Sequence, residues 1–270
     1  MTNGSTYTAL VLAASRRGAD DPVAQVQGLS HKCLVRLNGV AMIERVISAL
    51  RATPQIGRIF VSIESPDILR SVPNLAALLD AGAIATLTSE GNLAHSIAKA
   101  AGEIPDAHPL IITTADNALH TPEMLSHFCA GIPNSDADVL VAMTPAETIL
   151  AKYPEGQRAF HRLKDGAYSS CNLYCMRTQK GAGAARAFAT GGQFGKKPER
   201  IINAFGLWAF LLYKLRLVTI DGVMRQISRA LNMVVKVSMV PWAEAPIDVD
   251  NAKDYALVTD ILERREGRRE

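Results

Sequence analysis

Short apolar stretches alternate with amphipathic ones over residues 8–144, and this alternation restricts the fold more than any other feature of the sequence. The apolar stretches predict strands at residues 8–13, 58–63, 83–87, 110–114 and 138–143, with a weakly alternating stretch at 32–37. Apolar residues at helical spacing predict helices between them, at about 41–51, 75–80, 92–101 and 122–130. Because parallel strands need a long crossover that is usually a helix, this order predicts a parallel α/β sheet.

The pattern changes after Thr144. Residues 158–163 and 167–176 flank Lys164-Asp165-Gly166, which is typical of a hairpin turn. Helices are predicted at residues 180–190, 221–231 and 252–264, and a last strand at 234–239. We therefore expect a single three-layer α/β/α domain over residues 1–270, with its core at about 7–180 and 232–264. The mostly parallel sheet would carry a hairpin insertion and an apolar helical cap at about 196–231.

The composition excludes several classes of protein. Hydrophobic residues make up 48% of the chain and charged residues 20%, which is typical of a globular protein rather than a disordered one. The 29 Lys and Arg residues against 26 Asp and Glu residues leave a net charge of +3, too weak to predict a nucleic-acid-binding face. Four cysteines do not form a disulfide framework, and residues 1–5 lack the positive charge of a signal peptide. We expect a cytoplasmic protein, soluble or membrane-peripheral.

An unusually apolar segment lies at residues 201–218. Its central ten residues, 204–213, carry no charge and include four aromatic side chains. A membrane-spanning helix needs about 20 apolar residues, and Lys214 and Arg216 interrupt this segment, so we do not expect it to cross a membrane. We favour a buried cap helix or the face of a homodimer. The alternative is an interfacial helix that makes peripheral contact with lipid headgroups.

The loop after the first predicted strand is a candidate phosphate-binding loop, because ligands of open α/β sheets bind outside the carboxyl ends of the strands. It reads Ala14-Ser15-Arg16-Arg17-Gly18, and Lys32 lies at its far end. Small residues let backbone N–H groups approach phosphates, and the positive side chains suit phosphate contact. A solvated basic loop is the alternative. The sequence contains neither the Gly-x-Gly-x-x-Gly pattern of dinucleotide-binding folds nor a Walker loop.

Three aspartates are candidate metal ligands. Asp116 follows the predicted strand at 110–114, and Asp248 and Asp250 alternate along an extended stretch, which places both on one face. Carboxylates bind hard divalent cations that carry a nucleoside triphosphate, and two neighbouring carboxylates repel each other unless a cation or partner lies between them. The alternative roles are helix caps, for Asp116 at residues 121–123 and for Asp250 or Asn251 at the last helix.

Several motifs, in the correct order, resemble those of the MobA-like nucleotidyltransferases. Residues 12–16 (Leu-Ala-Ala-Ser-Arg), 31–34 (His-Lys-Cys-Leu) and 37–43 (Leu-Asn-Gly-Val-Ala-Met-Ile) resemble the opening of that family. Thr114-Ala115-Asp116-Asn117 resembles its metal-binding aspartate, and Ser170-Cys171-Asn172-Leu173-Tyr174 its acceptor-side strand. Residues 247–254 (Ile-Asp-Val-Asp-Asn-Ala-Lys-Asp) resemble its acidic closing motif. The matches run from residue 10 to about residue 257.

The sequence departs from the family pattern at four places. Ser15 replaces the usual glycine, His31 stands where a proline precedes the lysine, and Ala41 replaces the proline before Met42. The stretch at residues 19–30 is longer than the usual loop. Since the lysine and the acidic positions remain, the departures indicate a divergent branch with its own acceptor rather than an inactive protein.

The resemblance implies a Rossmann-like, GT-A-like fold and an enzyme that moves a nucleoside monophosphate from an NTP to a small phosphorylated sugar, polyol or alcohol, releasing pyrophosphate. CTP and GTP are both open as donors, with CTP favoured because a basic, apolar cap suits a lipid head-group pathway.

The resemblance also implies that Lys32, with Arg16 or Arg17, offsets phosphate charge. Asp116, with Asp250 or Asp248, would hold Mg²⁺ or Mn²⁺, and Asn172 would face the acceptor. The implied nucleotide site consists of Ala13, Ala14, Ser15, Gly18, Ser89, Gly91, Asn92 and Ser96.

Two other functions fit parts of the sequence. A glycosyltransferase that uses a nucleotide-sugar can share this architecture, but its usual Asp-x-Asp would need an aspartate where Thr114 stands. A non-catalytic, membrane-docked regulatory protein that binds a nucleotide would account for Ser15 and the altered loop. The presence of Lys32, Asp116 and Asp250 argues against that second alternative, and we expect an enzyme.

Overall fold

The computed structural model describes residues 6–15, 17–154, 160–185 and 213–267, and its largest element is a central β-sheet. The strands, in chain order, are β1 (Tyr7–Leu12), β2 (Arg36–Leu37), β3 (Val40–Ala41), β4 (Ile56–Ile63), β5 (Ala85–Thr88), β6 (Leu110–Thr114), β7 (Val139–Pro145), β8 (His161–Leu163), β9 (Gly166–Met176) and β10 (Val235–Met239). Eight of them form one sheet in the order β5-β4-β1-β6-β9-β7-β10, with β8 paired to β9. The remaining two, β2 and β3, form a small separate sheet.

Helices connect the strands and cover the sheet. In chain order they are α1 (Pro22–Gln25), α2 (Met42–Arg51), α3 (Pro66–Arg70), α4 (Pro73–Asp80), α5 (Leu93–Glu103), α6 (Pro122–Gly131), α7 (Ala146–Lys152), α8 (Ile220–Leu231) and α9 (Ala252–Arg265). Short 3₁₀ turns lie at Gly18–Asp20, Lys32–Leu34 and Gln179–Ala184.

The sheet is mixed but mostly parallel. Strand β1 pairs in parallel with β4 and β6, β4 pairs in parallel with β5, and β7 pairs in parallel with β10. Strand β9 lies between β6 and β7 and is antiparallel to both. The architecture confirms the predicted α/β fold. Because β1, β4, β5 and β6 run the same way, the loops after them lie along one edge of the sheet.

The central strand β1 is buried on both faces. On one face Val11 packs in a cluster with Ile47 of α2 and Phe128 of α6. On the other face Leu10 packs in a cluster with Ile97 of α5. A strand covered on both sides needs mostly apolar residues, which is why β1 contains the unbroken apolar run at residues 9–12. The helices on the two faces give the three layers that the sequence predicted.

The predicted hairpin is present as β8 and β9, which pair antiparallel with Leu163 opposite Gly166. The weakly alternating stretch at residues 32–37 does not form one continuous strand. Lys32–Leu34 form a 3₁₀ turn, and only Arg36–Leu37 pair with Val40–Ala41. Between these short strands Asn38 and Gly39 have φ values of +50° and +85°, which reverse the chain in two residues.

The helical cap predicted at about 196–231 is described only from residue 213 onward. Its last part is α8, which packs through Met224 in a cluster with Val235 of β10. The predicted helix at 180–190 begins as the 3₁₀ turn Gln179–Ala184, and residues 186–212, with most of the apolar segment, lie outside the described residues.

Within the described ranges, the structure contains no helix of the length and apolar character that crossing a membrane requires. The bounds of a single domain, the lipid contact through residues 201–218 and the homodimer stay predictions.

Candidate active site

The loops after β1, β5 and β6 and the segment before α9 line one cleft of about 1870 Å³. A pocket for one small ligand usually has a volume of about 300–1,000 Å³, so this cleft has room for two substrates. The predicted site residues that line it are Ala13, Ala14, Ser15, Arg17, Lys32, Ser89, Gly91, Asn92, Ser96, Asp116, Asn172, Asp248 and Asp250. Gly18 follows Arg17 in the same loop, and Arg16 lies outside the described residues.

Asp116, Asp248 and Asp250 form the acidic centre of the cleft, and we call them the acidic triad. One carboxylate oxygen of each lies within 4.8 Å of the other two. In the described part of the chain, this is the one group of three or more acidic, histidine or cysteine side chains at metal-ligand spacing. Carboxylate oxygens are hard ligands, so the donor set fits Mg²⁺ or Mn²⁺.

Asp116 is fixed by the end of β6. The Thr114 hydroxyl lies 2.5 Å from Oδ1 of Asp116 and 2.6 Å from the side-chain oxygen of Asn117. The N–H of Ala115 donates to the carbonyl of Leu12 over 3.0 Å, which ties this loop to β1. The alternative role as a helix cap is taken by Thr121, whose hydroxyl accepts from the first turn of α6. The Asp116 carboxylate therefore faces the cleft.

Asp248 is held by Asn172, the residue that the sequence assigned to the acceptor. The Asn172 side-chain N–H donates to Oδ2 of Asp248 over 2.9 Å. Asn172 has a φ of +49° and lies where the pairing of β9 with β7 shifts register. Burial, followed by the charges of Asp116 and Asp250, raises the pKa of Asp248 to about 7. Burial is the main cause of the raised pKa, and the repulsion between the gathered carboxylates adds to it.

Asp250 has the most exposed carboxylate of the triad, and the chain around it leaves that side chain turned toward the cleft. The cap of α9 is Asn251, whose side-chain oxygen accepts from the N–H groups of Lys253 and Asp254 over 2.9 and 3.1 Å. The Asp254 carboxylate accepts in turn from the backbone N–H of Asp250 over 3.1 Å. Of the two caps that the sequence allowed, Asn251 is the one used, so the Asp250 carboxylate is not needed for the helix.

Lys32 joins two members of the triad. Its ammonium lies 2.5 Å from Oδ2 of Asp116 and 2.7 Å from Oδ1 of Asp250. Burial by itself would lower the pKa of Lys32, but the negative charges and hydrogen bonds of Asp116 and Asp250 outweigh it and hold the pKa above its ordinary value. Lys32 is therefore positively charged at neutral pH and lies at the centre of the acidic cluster.

The loop after β1 is shaped by Ser15. The N–H of Gly18 donates to the Ser15 hydroxyl over 2.8 Å, and Gly18 has a left-handed φ of +53°. The N–H of Ser15 donates to a carboxylate oxygen of Glu64 over 2.7 Å. Glu64 also lies 3.7 Å from the His31 ring. Arg17 is exposed on the rim of the cleft. Because the Ser15 N–H already donates to Glu64, an anion would have to displace the Glu64 carboxylate in order to bind this N–H.

The loop between β5 and α5 forms the next part of the wall. The Asn92 side chain caps α5 by accepting from the N–H of His95 over 2.9 Å. The buried Ser96 hydroxyl accepts from the N–H of Glu90 over 2.9 Å. These two side chains brace the loop, while Ser89 and Gly91 line the cleft beside them.

The opposite wall contains an ion cluster around the buried Glu244. Lys152 and Tyr153, which line the cleft, donate to one carboxylate oxygen of Glu244 over 2.5 and 2.8 Å, and Arg265 lies 3.6 Å from the same atom. Burial opposes ionisation of Glu244, but the hydrogen bonds from Lys152 and Tyr153 outweigh it and hold its pKa below the ordinary value. The cluster fixes the end of α7 against the segment before α9.

Two residues of the cleft, Glu64 and Thr114, were not predicted from the sequence to belong to the site. Glu64 directly follows β4 and Thr114 ends β6, so both occupy the same kind of position as Asp116, at the carboxyl end of a parallel strand. That position was a sufficient signal for both residues.

Solved structures resemble this chain over almost its whole length. A hypothetical transferase from Thermus thermophilus has a TM-score of 0.75 and 22% sequence identity, covering 93% of this chain and 99% of that one. A CMP:2-keto-3-deoxy-manno-octonic acid synthetase complexed with CTP has a TM-score of 0.60 and 12% identity, covering 96% and 100%. A 4-diphosphocytidyl-2C-methyl-D-erythritol synthase from Anaerococcus prevotii has a TM-score of 0.59 and 11% identity, covering 97% and 100%. These similarities show that the chain shares the GT-A-like α/β fold of these proteins.

Sequence comparison identifies the family. No curated protein sequence gives a significant match. The sequence model of the MobA-like NTP transferase domain matches residues 9–193, which is more than half of the chain. The matched range contains the loop after β1, Lys32, the β5–α5 loop, Asp116 and Asn172. The chain therefore belongs to the MobA-like NTP transferase family of nucleotidyltransferases.

Proposed function

We propose that this nucleotidyltransferase moves CMP from CTP to a small phosphorylated sugar, polyol or alcohol and releases pyrophosphate, with Mg²⁺ or Mn²⁺ bound at the acidic triad. One observation carries the proposal. The Lys32 ammonium meets the carboxylates of Asp116 and Asp250 at the carboxyl ends of the strands, in a cleft with room for two substrates.

The chemistry needs little from the side chains beyond alignment and charge. An oxygen of the acceptor phosphate forms a bond to the α-phosphorus of CTP, and the bond from that phosphorus to the bridging oxygen of pyrophosphate breaks. Because the acceptor phosphate is already ionised near neutral pH, no general base is required. We assign Lys32, with Arg16 or Arg17, to offset the charge on the α-phosphate and the leaving pyrophosphate. A bound divalent cation would supply further charge neutralisation.

We assign the nucleotide to the side of the cleft formed by the loop after β1 and the β5–α5 loop. Both loops contain small residues that leave space for a nucleotide, and the exposed Arg17 offers its phosphates a positive charge at the rim. Two structures that share the fold are named for cytidine nucleotides, one of them with bound CTP, and this supports CTP over GTP as the donor.

We assign the acceptor to the opposite side, which contains Asn172, Ser170, Ser169 and Lys152. Hydroxyl and amide groups suit the hydroxyls of a sugar or polyol, and the half-exposed Lys152 ammonium suits a phosphate. The donation from Asn172 to Asp248 links this wall to the acidic triad.

Pyrophosphate release tests the proposal. The purified protein would be incubated with Mg²⁺ and each of CTP, GTP, ATP and UTP, in the presence of phosphorylated sugars, polyols and alcohols. We expect the fastest release with CTP and a decrease of about 100-fold or more in Asp116→Asn, because a ligand of the charge-neutralising cation is weakened.

The matched control is Asp80→Asn, which changes an exposed carboxylate at the end of α4 and should leave the rate within about twofold. Release with GTP but not with CTP would refute CTP as the donor. Turnover of a nucleotide-sugar without turnover of any NTP would refute nucleotidyl transfer by this site.

A further inference from the structure

The Lys32 ammonium occupies the space between two carboxylates that would also bind a cation. Its distances of 2.5 Å to Asp116 and 2.7 Å to Asp250 leave no room for an ion that bridges the same two oxygen atoms. Asp248, the third carboxylate, is turned toward Asn172 instead. The acidic triad is thus already supplied with one positive charge from its own chain.

We propose that Lys32 is an internal competitor of the metal, and that the triphosphate relieves this competition by drawing the Lys32 ammonium away from Asp116 and Asp250. This inference rests on the proposed function, because it takes the acidic triad as the metal site and a triphosphate as the ligand of Lys32. It adds an order of events: the divalent cation binds weakly until the nucleotide is present.

The charges of the described residues support this exchange. A divalent cation at the triad would lie within a few ångströms of the Lys32 ammonium, where like charges repel strongly in a partly buried site. A triphosphate offers Lys32 a new set of anionic oxygens and removes that repulsion. The side chain can make the exchange without a backbone movement, because the ammonium ends a flexible four-carbon stem.

The exchange has a reciprocal consequence. If the nucleotide strengthens metal binding by releasing the carboxylates, the metal must strengthen nucleotide binding by the same factor, since it keeps Lys32 free for the phosphates. The ion pairs of Lys32 with Asp116 and Asp250 then favour joint binding of cation and nucleotide over binding of either one alone.

Mn²⁺ binding without any nucleotide tests the competition directly. The loss of the electron paramagnetic resonance signal of free Mn²⁺ would be titrated at pH 8 for the wild type, Lys32→Met, Lys32→Arg, Lys253→Met and Asp116→Asn. We expect Lys32→Met to bind Mn²⁺ about tenfold or more tightly than the wild type, because the repelling charge is gone. Lys32→Arg keeps a cation between the carboxylates and should bind Mn²⁺ as weakly as the wild type.

Lys253→Met is the matched control. Lys253 lies in the first turn of α9, lines the same cleft and is exposed. Removing its charge therefore changes the electrostatic field of the cleft while Lys32 stays paired with Asp116 and Asp250. We expect its Mn²⁺ affinity to change by less than about threefold, because the field of an exposed charge is screened by solvent.

The outcomes separate this inference from the proposed function. Equal Mn²⁺ affinities in Lys32→Met and Lys253→Met would overturn the competition, while sensitivity of the binding to Asp116→Asn would still support the metal site. Absence of Mn²⁺ binding in Lys32→Met, with a circular dichroism spectrum like that of the wild type, would overturn the metal site and the competition together.

Discussion

The left-handed conformation of Asn172 provides a sharp test of how β9 builds the site. Asn172 has a φ of +49° in the middle of a strand, and its side chain donates to Asp248 over 2.9 Å. Asparagine tolerates this conformation better than most residues. We expect Asn172→Ala to be less stable than Asn172→Gly, which reverses the usual order of these two residues in a strand.

The magnitude follows from two opposing terms. Both variants lose the hydrogen bond to Asp248, so that loss cancels when they are compared. Alanine is favoured over glycine by about 0.5–1 kcal/mol in an ordinary strand, since glycine has more freedom to lose on folding. The left-handed conformation costs alanine about 1–2 kcal/mol through its β-carbon. The free energy of unfolding of Asn172→Ala should therefore be about 0.5–1 kcal/mol below that of Asn172→Gly.

Urea unfolding followed by circular dichroism measures this difference. The control is Ala167→Gly in the same strand, at a residue that lacks a positive φ, where glycine should lower the free energy of unfolding by about 0.5–1 kcal/mol. If alanine at position 172 is as stable as glycine or more so, backbone strain does not shape this part of β9 and the reasoning is refuted.

Three further predictions concern other parts of the site. Thr114→Val should weaken Mn²⁺ binding and nucleotidyl transfer by about 10–100-fold, because Asp116 loses the hydroxyl that orients it. Thr114→Ser should retain both activities. Equal Mn²⁺ affinities in the wild type and Thr114→Val would contradict this role. Gly18→Ala should lower the free energy of unfolding, measured by urea, by about 1 kcal/mol, because Gly18 has a φ of +53°. It should also raise the KM for the NTP in the pyrophosphate assay. An unchanged KM would show that this loop does not contribute to nucleotide binding. Since the folded-state pKa of Glu244 is lowered, its stabilising contribution is present above its ordinary pKa of about 4.5 and is lost as pH falls through the folded value. The urea midpoint should therefore fall more steeply between pH 6 and pH 3 in the wild type than in Glu244→Gln. The same pH dependence of the midpoint in both proteins would refute this contribution of Glu244.

Local patterns were sufficient to predict the sheet and the acidic residues. Strand β1 is recognisable because helices cover both of its faces, so that nearly every position is apolar. Asp248 and Asp250 could be placed on one face because side chains alternate along extended chain. These predictions succeed because the decisive interactions involve residues close in sequence or an environment that is uniform along the strand.

Contacts between distant residues explain where prediction from the sequence failed. The weak alternation at 32–37 did not reveal that Lys32 begins a 3₁₀ turn, or that its ammonium reaches Asp116 and Asp250, 84 and 218 residues away. The sequence likewise did not reveal that the Asn172 side chain donates to Asp248, 76 residues away, while its contact with the acceptor stays a prediction. Its left-handed φ accompanies a register shift between β9 and β7, which no local pattern in β9 reveals.

The position of β9 between β6 and β7 has a consequence for the newly synthesised chain. When the ribosome has produced β1 to β7, the edges of β6 and β7 that face each other in the finished sheet still lack the strand that joins them. Open strand edges of this kind invite pairing with other chains. The same strand that closes this gap carries Asn172, and Asp248 and Asp250 are translated later still. Protection of the nascent chain from aggregation and assembly of the acidic triad therefore both wait for the second half of translation.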